Sequence, residues 1–140
     1  MVGYSGTPLA RKLGIKPGAR LALLGAPDGF AATLDLAATI GEVQVLHAAR
    51  APLDVAVLFA DRRSVLTRRF DAAAEALAPA GGLWVAWPKR ASGVATDLTE
   101  ADVRAVGLAA GLVDNKVCAI DAVWSGLRFV RRLSDRERRG

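Results

Sequence analysis

The run Arg20-Leu21-Ala22-Leu23-Leu24 ends on Gly25-Ala26-Pro27-Asp28-Gly29, and a helical face of Phe30, Leu34 and Leu36 to Ala38 starts directly after it. A short run that is apolar on nearly every residue belongs to a strand covered on both faces, and such strands come from parallel sheets whose crossovers are helices. One strand, one glycine turn and one amphipathic helix therefore commit this chain to a layered α/β fold. They also put a backbone-rich turn at the carboxyl end of a strand, where open α/β sheets take their ligands.

The alternation continues along the chain. Thr7 supplies a capping hydroxyl before Pro8, and Gly14 stops a short helix over Leu9 to Leu13. Glu42 to His47 reads as a second strand and Val55 to Phe59 as a third. Asp61 or Ser64 then caps a helix carrying Val65, Leu66, Phe70, Ala73 and Leu77, which ends at Pro79-Ala80-Gly81-Gly82. Leu83 to Trp87 is a fourth strand closed by Pro88, and Lys89 to Thr96 is a loop. Trp84 and Trp87 are spaced to face opposite sides of the sheet. Thr99 and Asp102 form a capping box, with Asp in the place of the usual Glu, for a helix that stops at Gly111. Lys116 to Ile120 and Gly126 to Arg131 are strands joined by Asp121-Ala122-Val123-Trp124-Ser125. That link is too short for a parallel crossover, so the last strand runs antiparallel to its predecessor.

Composition removes several function classes. At 140 residues the chain is expected to be one domain, with a helical lead-in at residues 1–15, the domain proper at 16–132 and a flexible basic tail at 133–140. No apolar run reaches the ~18 to 20 residues that a bilayer demands. Met1 to Gly6 has neither the basic start nor the apolar stretch of a leader, so a cytoplasmic protein with no membrane partner is expected. The formal charge of +5 is dispersed. Arg62, Arg63, Arg68 and Arg69 surround one helix start, Lys89 and Arg90 follow a strand, and Arg131, Arg132, Arg136, Arg138 and Arg139 interleave with Asp135 and Glu137 as a solvated terminus. With no groove-reading motif and no basic-aromatic stripe, nucleic acid is not an expected partner. Cys118 is single and falls in a strand, which makes it a buried, inert thiol. His47 has no neighbours at metal-ligand spacing, so no metal is expected.

A parallel sheet that closes on one antiparallel hairpin resembles the class I methyltransferases. Lys16-Pro17-Gly18-Ala19-Arg20 resembles the lead-in to their first strand, Gly25 to Gly29 their glycine turn, and Leu77-Ala78-Pro79-Ala80-Gly81-Gly82-Leu83-Trp84-Val85 the approach to a late strand. Gly111-Leu112-Val113 with Lys116-Val117 resembles the step into their last hairpin. The resemblance implies a fold that is α/β, three-layer and Rossmann-like, a mostly parallel sheet of about six strands with a C-terminal antiparallel hairpin. One strand-helix unit of that pattern is missing, because only Ala48 to Leu53 separates the second and third strands.

The departures from the pattern decide the functional expectation. Where the family places an acidic residue two positions before the first glycine, this chain has Leu23; the middle glycine is Pro27, and His47 stands near the end of the second strand in place of the ribose-binding carboxylate. Asp28, inside the turn, is a poor substitute. An unmatched hydrogen-bonding group costs about 1 to 3 kcal/mol, so S-adenosylmethionine is expected to bind one to two decades more weakly than to an intact site. At closer range the chain resembles a family of small actinobacterial proteins grouped as a domain of unknown function, through Tyr4-Ser5-Gly6-Thr7-Pro8-Leu9-Ala10, Leu24-Gly25-Ala26-Pro27-Asp28-Gly29-Phe30, Gly82-Leu83-Trp84-Val85-Ala86-Trp87-Pro88-Lys89 and Thr96-Asp97-Leu98-Thr99-Glu100.

Ligand-binding candidates lie at the carboxyl ends of the strands: Gly25, Asp28 and Gly29 in the first turn, Asp61 and Arg62 at a helix start, and Lys89, Arg90, Ser92 and Gly93 in the fourth strand's loop, where two cations, a hydroxyl and a glycine suit an anion. The two outer segments are expected to face each other across the third strand. Ser64 and Ser92 lack a nucleophile-elbow setting and His47 lacks an orienting carboxylate, so no catalytic residue is assigned. The expectation is a non-catalytic small-molecule-binding or regulatory domain, for an anionic small molecule or a protein partner, with no cofactor specified. The alternatives are a protein-interaction module and an S-adenosylmethionine-dependent methyltransferase.

Overall fold

A computed structural model describes residues 6–139, with side chains to Arg136. The reading of Met1 to Ser5 as lacking a leader, and the phrase beginning at Tyr4, fall outside the described residues. The strands are β1 (Arg20–Leu24), β2 (Gln44–Leu46), β3 (Leu53–Phe59), β4 (Leu77–Pro88), β5 (Leu112–Ala119) and β6 (Trp124–Arg131). The helices are α1 (Leu9–Lys12), α2 (Phe30–Leu34), α3 (Leu36–Thr39), α4 (Arg63–Glu75), α5 (Glu100–Ala109) and α6 (Leu133–Arg139). The six strands form one sheet in the order β2-β1-β3-β4-β6-β5. β2, β1, β3 and β4 are mutually parallel, and β6 runs antiparallel to both β4 and β5. This is the expected α/β architecture. The closing hairpin adds a detail that loop length could not give: β6 inserts between β4 and β5 instead of taking the sheet's edge.

Two apolar clusters sandwich the sheet. Leu24, Ala56, Leu58, Leu83, Val85 and Trp87 face α4 and α5 through Leu66, Phe70 and Val103. Leu21, Leu23, Val55, Val57 and Trp84 face α1 and α2 through Ala10, Leu13, Phe30 and Leu34. Trp84 and Trp87 thus lie on opposite faces, as period-2 geometry demands, and both are buried. Trp84 Nε1 donates to the Leu13 carbonyl at 2.9 Å, fastening the lead-in segment to the central sheet.

Several local readings are corrected. The cap of α1 is Pro8, not Thr7, and no side chain caps this helix. The helix read over Phe30 to Ala38 is broken by Asp35, whose φ of 48° places it in the left-handed region that Asp tolerates better than most residues. Leu77 does not end α4: it begins β4 and pairs with Leu53. Gly81 and Gly82, taken as a helix stop, lie inside that strand, where the missing Cβ allows close approach. A Cβ on Gly81 would stand 2.5 Å from the Leu53 carbonyl oxygen. Neither Asp61 nor Ser64 caps α4. Its first amide, that of Arg63, donates instead to Asp97 Oδ1 at 2.7 Å, 34 residues away, a partner that no local pattern reveals.

Arg131, counted from sequence among the solvated tail arginines, is 4% exposed. Its Nη2 donates to the Ala74 and Leu77 carbonyls at 3.1 and 2.7 Å, satisfying one acceptor in the last turn of α4 and one at the start of β4. Residues 133–139, read as a tail, are helical. No helix among the described residues is long and apolar enough to cross a membrane.

Candidate functional site

The carboxyl ends of the parallel strands carry every ligand-binding candidate. β1 ends in the turn Gly25 to Gly29, with φ of 69° at Gly25 and 83° at Gly29, which glycine adopts without penalty. Gly25 is also crowded: a Cβ there would lie 3.3 Å from the Phe59 carbonyl oxygen and 3.4 Å from Arg69 Nη1. The guanidinium of Arg69 therefore reaches from α4 to the first turn. Sequence reading placed Arg69 only among the arginines around one helix start, because only the register of α4 on the sheet brings it to the turn.

Beside this turn lies a groove of about 370 Å³ lined by Leu23, Gly25 to Ala31 and His47. Its geometry follows from the parallel pairing of β1 with β2, in register from Arg20/Gln44 to Ala22/Leu46, which carries His47 to the β1 turn. Asp28 and His47 are exposed, and Asp28 is the one carboxylate in the lining. Leu23, standing where the methyltransferase pattern has an acid, is 1% exposed and packs into the core.

The other candidates fall in separate places. Asp61 and Arg62 are exposed in the link from β3 to α4, with Arg62 at the cap position. The loop after β4 is a short 3-10 turn, Arg90–Ser92, and two of its polar side chains, those of Lys89 and Ser92, are engaged in bonds within the protein. Lys89 Nζ donates to the Asp121 carbonyl at 2.7 Å, tying the loop to the hairpin tip. Ser92 Oγ donates to the Lys89 carbonyl at 2.7 Å and accepts from the Val94 amide at 3.1 Å. Arg90 and Gly93 line a larger groove of about 590 Å³ together with Trp87, Pro88 and Thr96 to Glu100. The order β1-β3-β4 does put only β3 between the two outer segments. They nonetheless line distinct grooves with no shared residue.

On the α1 and α2 face, aromatic side chains pack together at this end of the sheet. Phe30 and Phe59 meet edge to face at 4.8 Å between centroids, and Phe59 meets Trp124 at 5.0 Å. Trp124, at the hairpin tip, therefore packs against the end of the sheet. The start of α5 is set by charge. Thr99 and Asp102 make the reciprocal capping box, and Asp102 Oδ1 pairs with Arg63 at 2.8 Å. Hydrogen bonds from the Thr99 amide and hydroxyl, and then the Arg63 charge, hold the Asp102 carboxyl below the usual carboxylate range. Cys118 is half-buried, and burial pushes its thiol up, the inert direction. Among the described residues no group of three His, Cys, Asp or Glu side chains converges on a metal position.

No protein-family model matches the sequence, and comparison with curated proteins returns no relative. Solved structures do match. The pyocyanin biosynthetic protein PhzM superposes with a TM-score of 0.61 at 12% identity, over 91% of this chain and 55% of its own. A SAM-dependent methyltransferase from Aquifex aeolicus gives 0.61 at 12% identity, over 86% of each chain. Magnesium protoporphyrin IX methyltransferase from Synechocystis, with SAM bound, gives 0.59 at 14%, over 89% of this chain and 74% of its own. The chain therefore spans just over half the length of PhzM. It has the fold of S-adenosylmethionine-dependent methyltransferases, and identities this low establish the fold alone.

Proposed function

We propose that this protein is a small-molecule-binding domain on a methyltransferase scaffold, and that its ligand is a nucleoside of the S-adenosylmethionine type held in the groove between the Gly25–Gly29 turn and His47. The observation that carries this reading is the turn itself. It leaves β1 at the position where ligands meet open α/β sheets, and its exposed backbone borders a groove of about 370 Å³. Asp28 and His47 offer the ribose hydroxyls a carboxylate acceptor and an imidazole. Arg69, beside Gly25, offers a cation to the ligand's carboxylate.

The missing carboxylate at the end of β2 keeps this binding weak, with a dissociation constant above about 10 μM, or near −7 kcal/mol at the limit. Calorimetry with S-adenosylmethionine and S-adenosylhomocysteine tests it. Binding in the tens to hundreds of micromolar, weakened at least threefold by both Asp28→Ala and His47→Ala, is the expected result. No binding at millimolar ligand, or binding that ignores both substitutions, refutes it.

Methyl transfer is the second reading. It is supported by the fold shared with methyltransferases and by the larger groove at the end of β4, on the same sheet edge, which has room for an acceptor. Transfer of labelled methyl to any component of a cell extract would establish it. Ligand binding without transfer would leave a regulatory domain.

A further inference from the structure

Towards the opposite end of the strands, Arg128 sits where a side chain on Gly82 would be. A Cβ on Gly82 would meet Arg128 Nε at 2.5 Å and Nη2 at 2.6 Å. Glycine inside a strand weakens it, and here the missing side chain makes the seat for a guanidinium that crosses from β6, where Arg128 is in register with Trp84. Arg128 is half-buried. Burial, and then the charge of Arg136, push its guanidinium below the ordinary arginine range. Among the described residues no carboxylate pairs with it.

The guanidinium opens onto a groove of about 370 Å³ at the amino ends of β1, β3 and β4, which Lys16, Gly18, Asp54 and Gly81 also line. Lys16 is exposed and likewise has no ion-pair partner among the described residues. The carboxylate in the lining is already engaged, since Asp54 Oδ2 accepts from the Arg20 amide at 2.8 Å. Two cations thus share one concave surface with a single carboxylate that ion-pairs with neither of them, and one of the cations is partly desolvated, a state that costs free energy until an anion arrives.

We propose that this groove binds a phosphate-bearing small molecule, with Arg128 donating both arms of its fork to the phosphate and Lys16 supplying the second charge. The planar guanidinium matches two phosphate oxygens in a way an ammonium cannot, and two cations lining one groove favour a dianion over a single carboxylate. This site is distinct from the Gly25–His47 groove, being at the other end of the strands, so each stands or falls alone.

The test is titration of the full chain with inorganic pyrophosphate, and separately with citrate, followed by backbone amide shifts and by melting temperature. Pyrophosphate is expected to move the amides of Gly18 and Gly81 and to raise the melting temperature. Lys16→Ala and Arg128→Gln should each weaken it at least tenfold, and the double variant Lys89→Ala/Arg90→Ala should titrate as wild type. Lys16 is exposed, so its variant keeps the test valid if Arg128→Gln fails to fold. Pyrophosphate shifts confined to other surfaces, or identical titrations of wild type and Lys16→Ala, would overturn the site. Citrate binding as tightly as pyrophosphate would overturn the phosphate assignment.

Discussion

The interior of the sheet and its β2 edge are built to different standards. In the interior β4 runs for twelve residues and β6 for eight, with Gly82 to Pro88 paired to Trp124 to Val130 without a break. At the edge β2 has three residues, only half-buried at best, and the nearby helical cover is split at Asp35. The well-packed interior is held by interlocked core side chains, including Phe70 and Phe129 meeting edge to face at 5.8 Å. The sparse edge borders the Gly25–His47 groove. Leu23 and Phe30 serve both purposes, packing into the core and lining the groove, while the exposed Asp28 and His47 supply its polar groups.

The largest test of that contrast is Leu58→Ala. Leu58 is fully buried in the central strand between the sheet and α4. Its truncation should cost about 2 to 5 kcal/mol in denaturant unfolding, the range for a cavity that cannot collapse. Gly107→Ala comes next. Its Cβ would overlap the Phe129 ring, and overpacking of this kind costs about 1 to 3 kcal/mol. A neutral Gly107→Ala would show that the α5 face is looser than described.

Val45→Ala probes the sparse edge. Removing two half-exposed methyl groups from β2 should cost about 1 kcal/mol. A cost equal to that of Leu58→Ala would abolish the distinction between interior and edge. The smallest effect is expected for Asp102→Asn. The folded carboxyl is more acidic than the unfolded one, so its contribution is present at neutral pH and is lost as pH falls through the lowered folded value. The melting difference between wild type and Asp102→Asn should therefore be visible at pH 7 and shrink below about pH 4. A constant difference across that window would mean the capping box does not depend on charge.

Much of the fold was legible because its signals are local. Uniformly apolar runs mark buried parallel strands, a helix start advertises itself in Thr99 and Asp102, and a link as short as Asp121 to Ser125 leaves only an antiparallel return. The candidate site was less legible. Gly25, Asp28 and Gly29 were found because a glycine turn after a strand is itself a local pattern. His47 was legible only as a departure from the expected carboxylate, and the pairing of β2 with β1 makes it part of the groove's lining. The ammonium of Lys89 and the hydroxyl of Ser92 suited an anion by composition, yet both are engaged in bonds within the loop and to the hairpin tip.

Sequence alone thus determined the alternation of strands and helices, the antiparallel close and the absence of the usual ribose carboxylate, since each depends on residue type at fixed short spacing. Tertiary structure alone decided that Asp97 caps α4, that Arg131 is buried against the end of α4, that Arg69 reaches the first turn and that Gly82 gives up its side chain to seat Arg128. Each of these joins residues far apart in the chain, and their meeting is set by strand register and helix docking, which no neighbouring residue encodes.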